Sequence, residues 1–254
     1  MEVTYNCWHG CHKKSEGCLH CYVYRRDESI GKDSSYVYKT KNFDLPVRKK
    51  KDGSYKYEAG TEFMLCFSSD FFIEEADEWR KDVLRMIRER SDCSFFCITK
   101  RPERILDCLD PQEYPNLDIA CTMENQKRFD ERAPIYLNIG LNKKTVVIEP
   151  MLEAVDMSAY IDKIDAVTVG GESGEEVRIL DFEWVKDIRS QCKEKGVAFH
   201  FHQTGARIRV NGRLYDIPRN KQHSQAAKAF KDQYLILANT SSAFSSLTSS
   251  LMIR

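Results

Sequence analysis

No surplus of either charge runs through the chain, because lysine plus arginine and aspartate plus glutamate number 39 each. Without a net field the protein as a whole is not drawn to nucleic acid or to an anionic membrane, so any basic contact surface has to be local. The N-terminal Met-Glu-Val-Thr-Tyr-Asn has neither the basic n-region nor the apolar h-region of a signal peptide. No stretch approaches the roughly 18 apolar residues of a spanning helix. A cytosolic protein with no membrane contact is expected. In that setting ten cysteines suit reduced thiols and metal ligation better than a disulfide framework. The chain also lacks a GxGxxG fingerprint, so it is not read as a dinucleotide-binding fold. A second C-x2-C pair, which would complete a zinc ribbon, is missing too.

What is present is one compact cysteine stretch. Cys11, Cys18 and Cys21 are spaced C-x6-C-x2-C, preceded by Trp8-His9-Gly10 and interrupted by Ser15-Glu16-Gly17, a turn sequence that can fold three thiolates towards a common point. Iron-sulfur clusters are held by cysteine thiolates, normally four. A trio leaves one iron without a protein ligand, open to a substrate or cofactor. Zinc competes for the same residues, since Cys18-x2-Cys21 is half of a knuckle and Cys7, His9, His12 or His20 could complete four ligands. The remaining cysteines at 66, 93, 97, 108, 121 and 192 read as small buried apolar residues.

At 254 residues the chain can bury a sizeable core, and one domain over 1–229 is expected. After Gly60, apolar runs of strand length alternate with amphipathic stretches of helix length. The expected strands are a short one near Val3 to Asn6, then Glu62 to Phe67, Ser94 to Thr99, Leu117 to Thr122, Thr145 to Ile148, Ala166 to Val169 and Ala198 to Gln203. The expected helices include one with Trp79, Val83, Leu84 and Ile87 on one face, and others at Pro102 to Leu109, Gln126 to Arg132, Ala154 to Ile161 and Phe182 to Lys195. This alternation predicts parallel strands covered by helices, either a doubly wound sheet or a full or partial barrel.

Polar residues fall at the C-terminal strand ends: Ser68, Ser69 and Asp70; Thr99, Lys100 and Arg101; Thr122, Glu124 and Asn125; Glu149; Gly170, Gly171, Glu172 and Ser173; Gln203 and Thr204. Converging sites of this kind form the active mouth of βα barrels, and the three-cysteine loop would sit over that mouth. Caps and solvated turns account equally for Ser69, Asp70, Ser173, Lys100 and Arg101. Glu124 and Glu149 close apolar strands and need a partner or a ligand. The Gly170-Gly171 pair allows a ligand to approach the backbone, and a helix beginning there could bind an anion. His200 and His202 share one strand face, as rim histidines or as a metal pair.

Two basic segments stand out. Over 23–60 the chain is a polar excursion in which Asp52-Gly53 predicts a hairpin between the Tyr38 and Tyr55/Tyr57 stretches, with Arg48 to Lys51 at its tip. That tip is either a solvated loop or a phosphate contact with Tyr36, Tyr38, Tyr55 and Tyr57 as stacking partners. Asn211-Gly212 predicts a second hairpin, with Arg207, Arg209 and Arg213 directed outwards. Residues 230–254 turn to Ser, Thr, Leu and Ala, and a loosely ordered tail is expected.

With these residues in view, the chain resembles a family of phage and bacterial-genome proteins that carry a three-cysteine motif and are regarded as relatives of radical S-adenosylmethionine enzymes. The resemblance runs from Trp8-His9-Gly10-Cys11 through Ser68-Ser69-Asp70-Phe71-Phe72, Thr99-Lys100-Arg101-Pro102-Glu103-Arg104, Glu124-Asn125-Gln126, Glu149-Pro150, Val169 to Gly174 and Phe201 to Gly205, to Gln222 and Ala229. It implies an α/β fold, a partial or full (β/α) barrel with parallel strands and outer helices. It implies a 4Fe-4S cluster on Cys11, Cys18 and Cys21, with Tyr22 beside it. The open iron would chelate the amino and carboxylate groups of S-adenosylmethionine, and an electron from a reducing donor would cleave the sulfonium to a 5'-deoxyadenosyl radical. The superfamily pattern is C-x3-C-x2-C, from which this chain departs by three residues. The resemblance assigns Ser68 and Asp70 to the amino group, and Glu124, Glu149, Gly170, Gly171 and Glu172 to the cofactor mouth. Lys100, Arg101 and Gln203 are assigned to a substrate carboxylate or phosphate. The function so implied is radical chemistry on a nucleic acid or nucleotide. The alternatives are a non-catalytic nucleic-acid-binding protein with a structural zinc or cluster, and a redox sensor using Cys11 and its neighbours.

Overall fold

In the computed structural model, residues 1–230 are described. Seven apolar strands line up parallel and strictly in chain order: β1 (Glu2–Tyr5), β4 (Glu62–Leu65), β5 (Ser94–Thr99), β6 (Leu117–Thr122), β7 (Thr145–Ile148), β8 (Ala166–Gly170) and β10 (Ala198–Gln203). Between them come α2 (Asp77–Glu89), α3 (Ile105–Cys108), α4 (Gln126–Tyr136) and α5 (Phe182–Lys195). The ladder begins at β1 and stops at β10 without closing, which makes the fold a partial (β/α) barrel.

Alternation divides each strand between two environments. Phe63, Leu65, Phe95, Cys97, Ile119, Cys121, Val146, Ile148, Val167, Val169, Phe199 and Phe201 face the helices and join one large core. The concave face carries a smaller cluster of Met64, Phe96, Ala120, Val147, Ala166 and Ala198. Three alanines among those six leave room inside the half-barrel. Helix α2 buries Val83, Leu84 and Ile87 as its spacing predicts. The side chain of Asn125 caps α4 by accepting from the Arg128 amide at 2.8 Å, and Asp181 caps α5 in the same manner.

Several elements differ from the sequence expectation. β4 stops at Leu65 because Cys66 takes up a left-handed backbone, φ 55°. The expected helix at 154–161 is an extended loop followed by a 3₁₀ turn at Ile161–Lys163. Side-chain amides replace the helical ladder there: Gln191 accepts from the Met157 amide at 2.8 Å and donates to the Val155 carbonyl at 2.9 Å, and Gln126 accepts from the Asp156 amide at 2.7 Å. The helix expected over 102–109 is a 3₁₀ turn, Pro102–Arg104, running into the single turn of α3. No helix begins at the Gly170-Gly171 segment, since α5 starts at Phe182. Phe230 is packed, with its ring 5.4 Å from Phe182 and 5.8 Å from Phe199. The rest of the expected tail lies outside the described residues.

The excursion after Tyr22 folds against two separate parts of the body. α1 (Tyr22–Glu28) follows the cysteine loop, and β3 (Tyr38–Lys39) pairs antiparallel with β2 (Trp8–His9). Tyr38 therefore does not pair across Asp52-Gly53 with the Tyr55 stretch. That turn forms only an isolated Lys49–Tyr55 bridge. Tyr55 bonds Glu89 at 2.7 Å and lies over Arg90, and Tyr57 packs on Phe63, so the four tyrosines form no common platform. Arg48 to Lys51 thus belong to the end of the sheet where the strands begin. The second hairpin forms as expected: β11 (Arg207–Val210) and β12 (Arg213–Asp216) flank Asn211 and Gly212, both at positive φ. β11 also pairs with β9 (Leu180–Asp181), and α6 (Gln222–Ala229) closes the described chain against β10.

Arg90 fastens the excursion to the sheet. It is fully buried and donates to the Pro46 carbonyl at 2.6 Å, the Tyr57 carbonyl at 2.8 Å and the Asp92 carboxylate at 2.8 Å. Arg90→Met leaves those acceptors without their donor and is expected to lower the unfolding free energy by about 3 kcal/mol, measured by urea denaturation.

Candidate functional site

The three-cysteine loop lies over the C-terminal ends of the strands, and polar groups from four of those ends hold it. From β6, Glu124 is completely buried. One of its carboxylate oxygens accepts from the Gly17 amide at 3.1 Å and from the Ser15 hydroxyl, and the other from Arg132 at 2.7 Å. Burial works against the charge on Glu124. Lys100, Arg132 and Ser15 outweigh that effect and keep the carboxyl below its ordinary range. From β5, Arg101 pairs with Asp70 at 3.0 Å, donates to the His12 carbonyl at 3.0 Å and reaches the Cys11 sulfur at 4.0 Å. From the β4 end, the Ser68 carbonyl accepts from the Gly10 amide at 3.2 Å, and the Ser69 hydroxyl donates to the Gly10 carbonyl. From the β8 end, Glu172 holds Arg178, whose guanidinium donates to the Glu16 carbonyl at 3.0 Å. Arg128 adds a two-pronged bond to the Glu16 carboxylate, both prongs at 2.8 Å.

This arrangement places three thiols together on one loop beside Tyr24. Cys11, Cys18 and Cys21 are partly exposed, as is Cys108 at the end of α3, whereas Cys7, Cys66, Cys93, Cys97, Cys121 and Cys192 are buried. All three loop thiols act electrostatically on the hydroxyl of Tyr24, which burial, followed by Cys11, Cys21 and Cys18, raises above the ordinary tyrosine range. That hydroxyl donates to the Cys11 carbonyl. Burial and the nearby Asp70 carboxylate push the Cys11 thiol up to about 12. No group of three or more His, Cys, Asp or Glu among the described residues is gathered tightly enough to hold a metal ion. A tetrahedral zinc site brings its sulfurs within about 4 Å of one another. A cluster spreads its irons and takes thiolates from a wider span.

Three of the four supplementary zinc ligands, Cys7, His9 and His12, are engaged elsewhere. Cys7 points into the core, its sulfur 3.2 Å from that of Cys66. His9 bonds the buried Asp27 at 2.6 Å, and His12 bonds Glu75.

Other expected residues fall as follows. Asp70 spends its carboxylate on the Thr99 hydroxyl at 2.8 Å, the Phe72 and Lys100 amides and Arg101, so it is committed within the protein. Ser68 is buried with no partner for its hydroxyl, and the same holds for Thr168 on β8. Glu149 accepts from Gln203 and from the His202 ring at 2.8 Å. Burial opposes its charge, and His202 and Gln203 hold its carboxyl below the ordinary range. Gly170 makes room for this pair, because a Cβ there would stand 2.5 Å from the Glu149 carboxyl carbon, while the Gly171 amide donates to the Gln203 carbonyl. The close approach that the two glycines permit is to the protein's own chain. Tyr22 connects the two halves of the mouth. Its hydroxyl donates to the Phe67 carbonyl, and burial, Cys21 and Glu149 all raise its pKa.

The family model described as "Protein of unknown function (DUF5131)" matches residues 1–236. The chain belongs to this family. No curated protein matches it. Among solved structures, the DUF5131 chain is similar to a spore photoproduct lyase mutant with bound AdoMet and dinucleoside spore photoproduct, at 13% identity and a TM-score of 0.47 over 93% of this chain and 73% of that one. A second spore photoproduct lyase mutant gives 14% identity and a TM-score of 0.46 over the same shares.

Sequence reading missed the partners in this DUF5131 site. Ser15, Gly17, Arg128, Arg132 and Arg178 are what bind the loop to the strand ends, and no local pattern marks them. Thr168 was findable, because alternation places it with Ala166, and strand pairing sets it opposite His200. Burial, reinforced by His202, lowers the His200 pKa to about 4 against 6.5. The unfolded chain therefore takes up a proton before the folded one does. Stability is full at pH 7 and falls as pH drops from about 6.5 towards 4, by up to about 3 kcal/mol. Melting temperatures at pH 7 and pH 5 should show this loss, and His200→Gln should flatten it.

Proposed function

We propose that Cys11, Cys18 and Cys21 hold a 4Fe-4S cluster and that the protein cleaves S-adenosylmethionine reductively to start radical chemistry on a nucleic acid or nucleotide. The observation that carries this reading is the cysteine loop itself: three partly exposed thiols, all close enough to act electrostatically on the Tyr24 hydroxyl, lie on a loop pinned by four strand ends of an open half-barrel. When bound, the cluster supplies the electron and the open coordination position, and it draws that electron from an external donor.

The chain's own residues supply the setting. Ser68, whose hydroxyl is buried without a partner, is suited to receive a polar group of S-adenosylmethionine. Asp70 acts through Arg101, fixing the guanidinium that braces the loop beside Cys11. Glu149, held by His202 and Gln203, places a carboxylate close enough to act electrostatically on Tyr22. The zinc-staple reading is weaker, because Cys7, His9 and His12 are turned to other partners and leave His20 as its one remaining supplementary ligand.

The decisive measurement is iron content and EPR after anaerobic reconstitution, with and without S-adenosylmethionine. A reduced 4Fe-4S signal that changes on adding S-adenosylmethionine, together with 5'-deoxyadenosine formation that Cys18→Ala abolishes, is expected; zinc without iron overturns the proposal. Glu124→Ala keeps all three thiols but frees Ser15 and Gly17. It is expected to reduce reconstituted iron per chain severalfold, while Glu124→Gln retains more, as read by iron and sulfide assay.

A further inference from the structure

The β11–β12 hairpin has a surface that the cysteine site does not use. Between Gly205 and His223 the sequence holds Arg207, Arg209, Arg213, Arg219 and Lys221 against a single carboxylate, Asp216, in a chain of zero net charge. Two of these cations are already matched: Arg207 pairs with Asp216 at 3.1 Å, and Arg209 with Asp181 at 3.2 Å. Arg213, Arg219 and Lys221 make no ion pair among the described residues. β12 is the outer strand of its three-stranded sheet, with all four residues exposed. Leu214 and Tyr215 are each 41% exposed on it, and Arg213 lies over the Tyr215 ring at 5.4 Å.

The base of the hairpin joins the mouth. The Ala206 amide donates to the Glu172 carbonyl at 2.7 Å, and the Ile217 amide to the Ala206 carbonyl at 2.7 Å. A cleft of about 390 Å³ runs between this base and Gly174. Arg219 lies close enough to act electrostatically on both Tyr22 and His223. Free cations and an exposed aromatic therefore lead from the hairpin edge to the residue beside Cys21. Cations that track a backbone, with aromatics on which bases stack, form the pattern that binds single strands. Chemistry on a base requires that base to be out of the duplex.

We propose that the β12 edge, with Arg213 and Tyr215, and Arg219 at its base form the binding track for a single-stranded nucleic acid that leads one base into the mouth. This inference rests on the proposed function for its purpose, but its test does not depend on the cluster. Binding of a short fluorescein-labelled single-stranded oligonucleotide is followed by fluorescence anisotropy across a salt series.

Arg213→Ala combined with Tyr215→Ala is expected to weaken binding about tenfold or more, because each stacked base and each phosphate contact contributes separately. Arg219→Ala should reduce the dependence of log K on log salt by roughly 0.7. Lys50→Ala combined with Lys51→Ala, at the opposite end of the sheet, should leave binding unchanged, and Cys18→Ala should still bind. Melting temperatures confirm that each variant is folded. Unchanged affinity in the hairpin variants, absence of binding by the wild-type chain at low salt, or tighter binding of duplex than of strand overturns the track. 5'-Deoxyadenosine formation, measured separately, reports on the cysteine site alone.

Discussion

The mouth of the half-barrel depends on a carboxylate that never meets water. Glu124 is completely buried, and its oxygens are divided between Arg132 from α4 and the Ser15–Gly17 turn of the cysteine loop. A buried charge is tolerated only when it is paired and its remaining lone pairs are satisfied. Here the satisfaction comes from both sides of the mouth, so the loop cannot lift without stranding the charge. Gly17 is part of the same device, since a Cβ at that position would stand 3.0 Å from the Glu124 side chain. The turn has to come this close for its amide to reach the carboxylate.

The other strand-end charges follow the same logic. Asp70 is matched to Arg101, Glu172 to Arg178, and Glu149 to His202 and Gln203. Polar groups that look like a ligand shell in the sequence are in fact bound to one another. What they leave for a ligand is a smaller set: three partly exposed thiols and two buried hydroxyls, on Ser68 and Thr168. Preorganisation accounts for this division. Fixed charges set the field and geometry of the site without moving, and the groups that lack partners are those positioned to gain one.

The fold was legible wherever burial on both strand faces produced continuous apolar runs. β5, β6, β7 and β10 fall where their sequences place them, and α5 does as well, because Asp181 caps it and Gly196 ends it in a left-handed conformation. The loop at 151–160 was not legible. Its backbone bonds are satisfied by Gln126 and Gln191, which are remote in sequence, and no local pattern announces a distant glutamine. The C-terminal placement of polar residues identified the mouth. It could not show that Glu124 and Arg101 act on the cysteine loop, because that depends on which strand end lies beneath Ser15 and His12. Tyr38 failed for a related reason: Asp52-Gly53 specifies a turn, but its partner strand is selected by Trp8 and His9, which precede the cysteines.

The two basic segments have similar composition and opposite positions, and position decides between them. Arg48 to Lys51 adjoin the place where Tyr55 and Arg90 seal the end of α2, at the beginning of the strands. At the hairpin's base Arg219 acts on Tyr22 and His223, and the Ala206 amide meets the Glu172 carbonyl, where the strands end. With no net charge over the whole chain, neither segment draws on a global field, and screening at physiological salt confines each to roughly 8 Å. The place of Arg219 beside Tyr22 is what favours the hairpin over the longer lysine run in the proposed track.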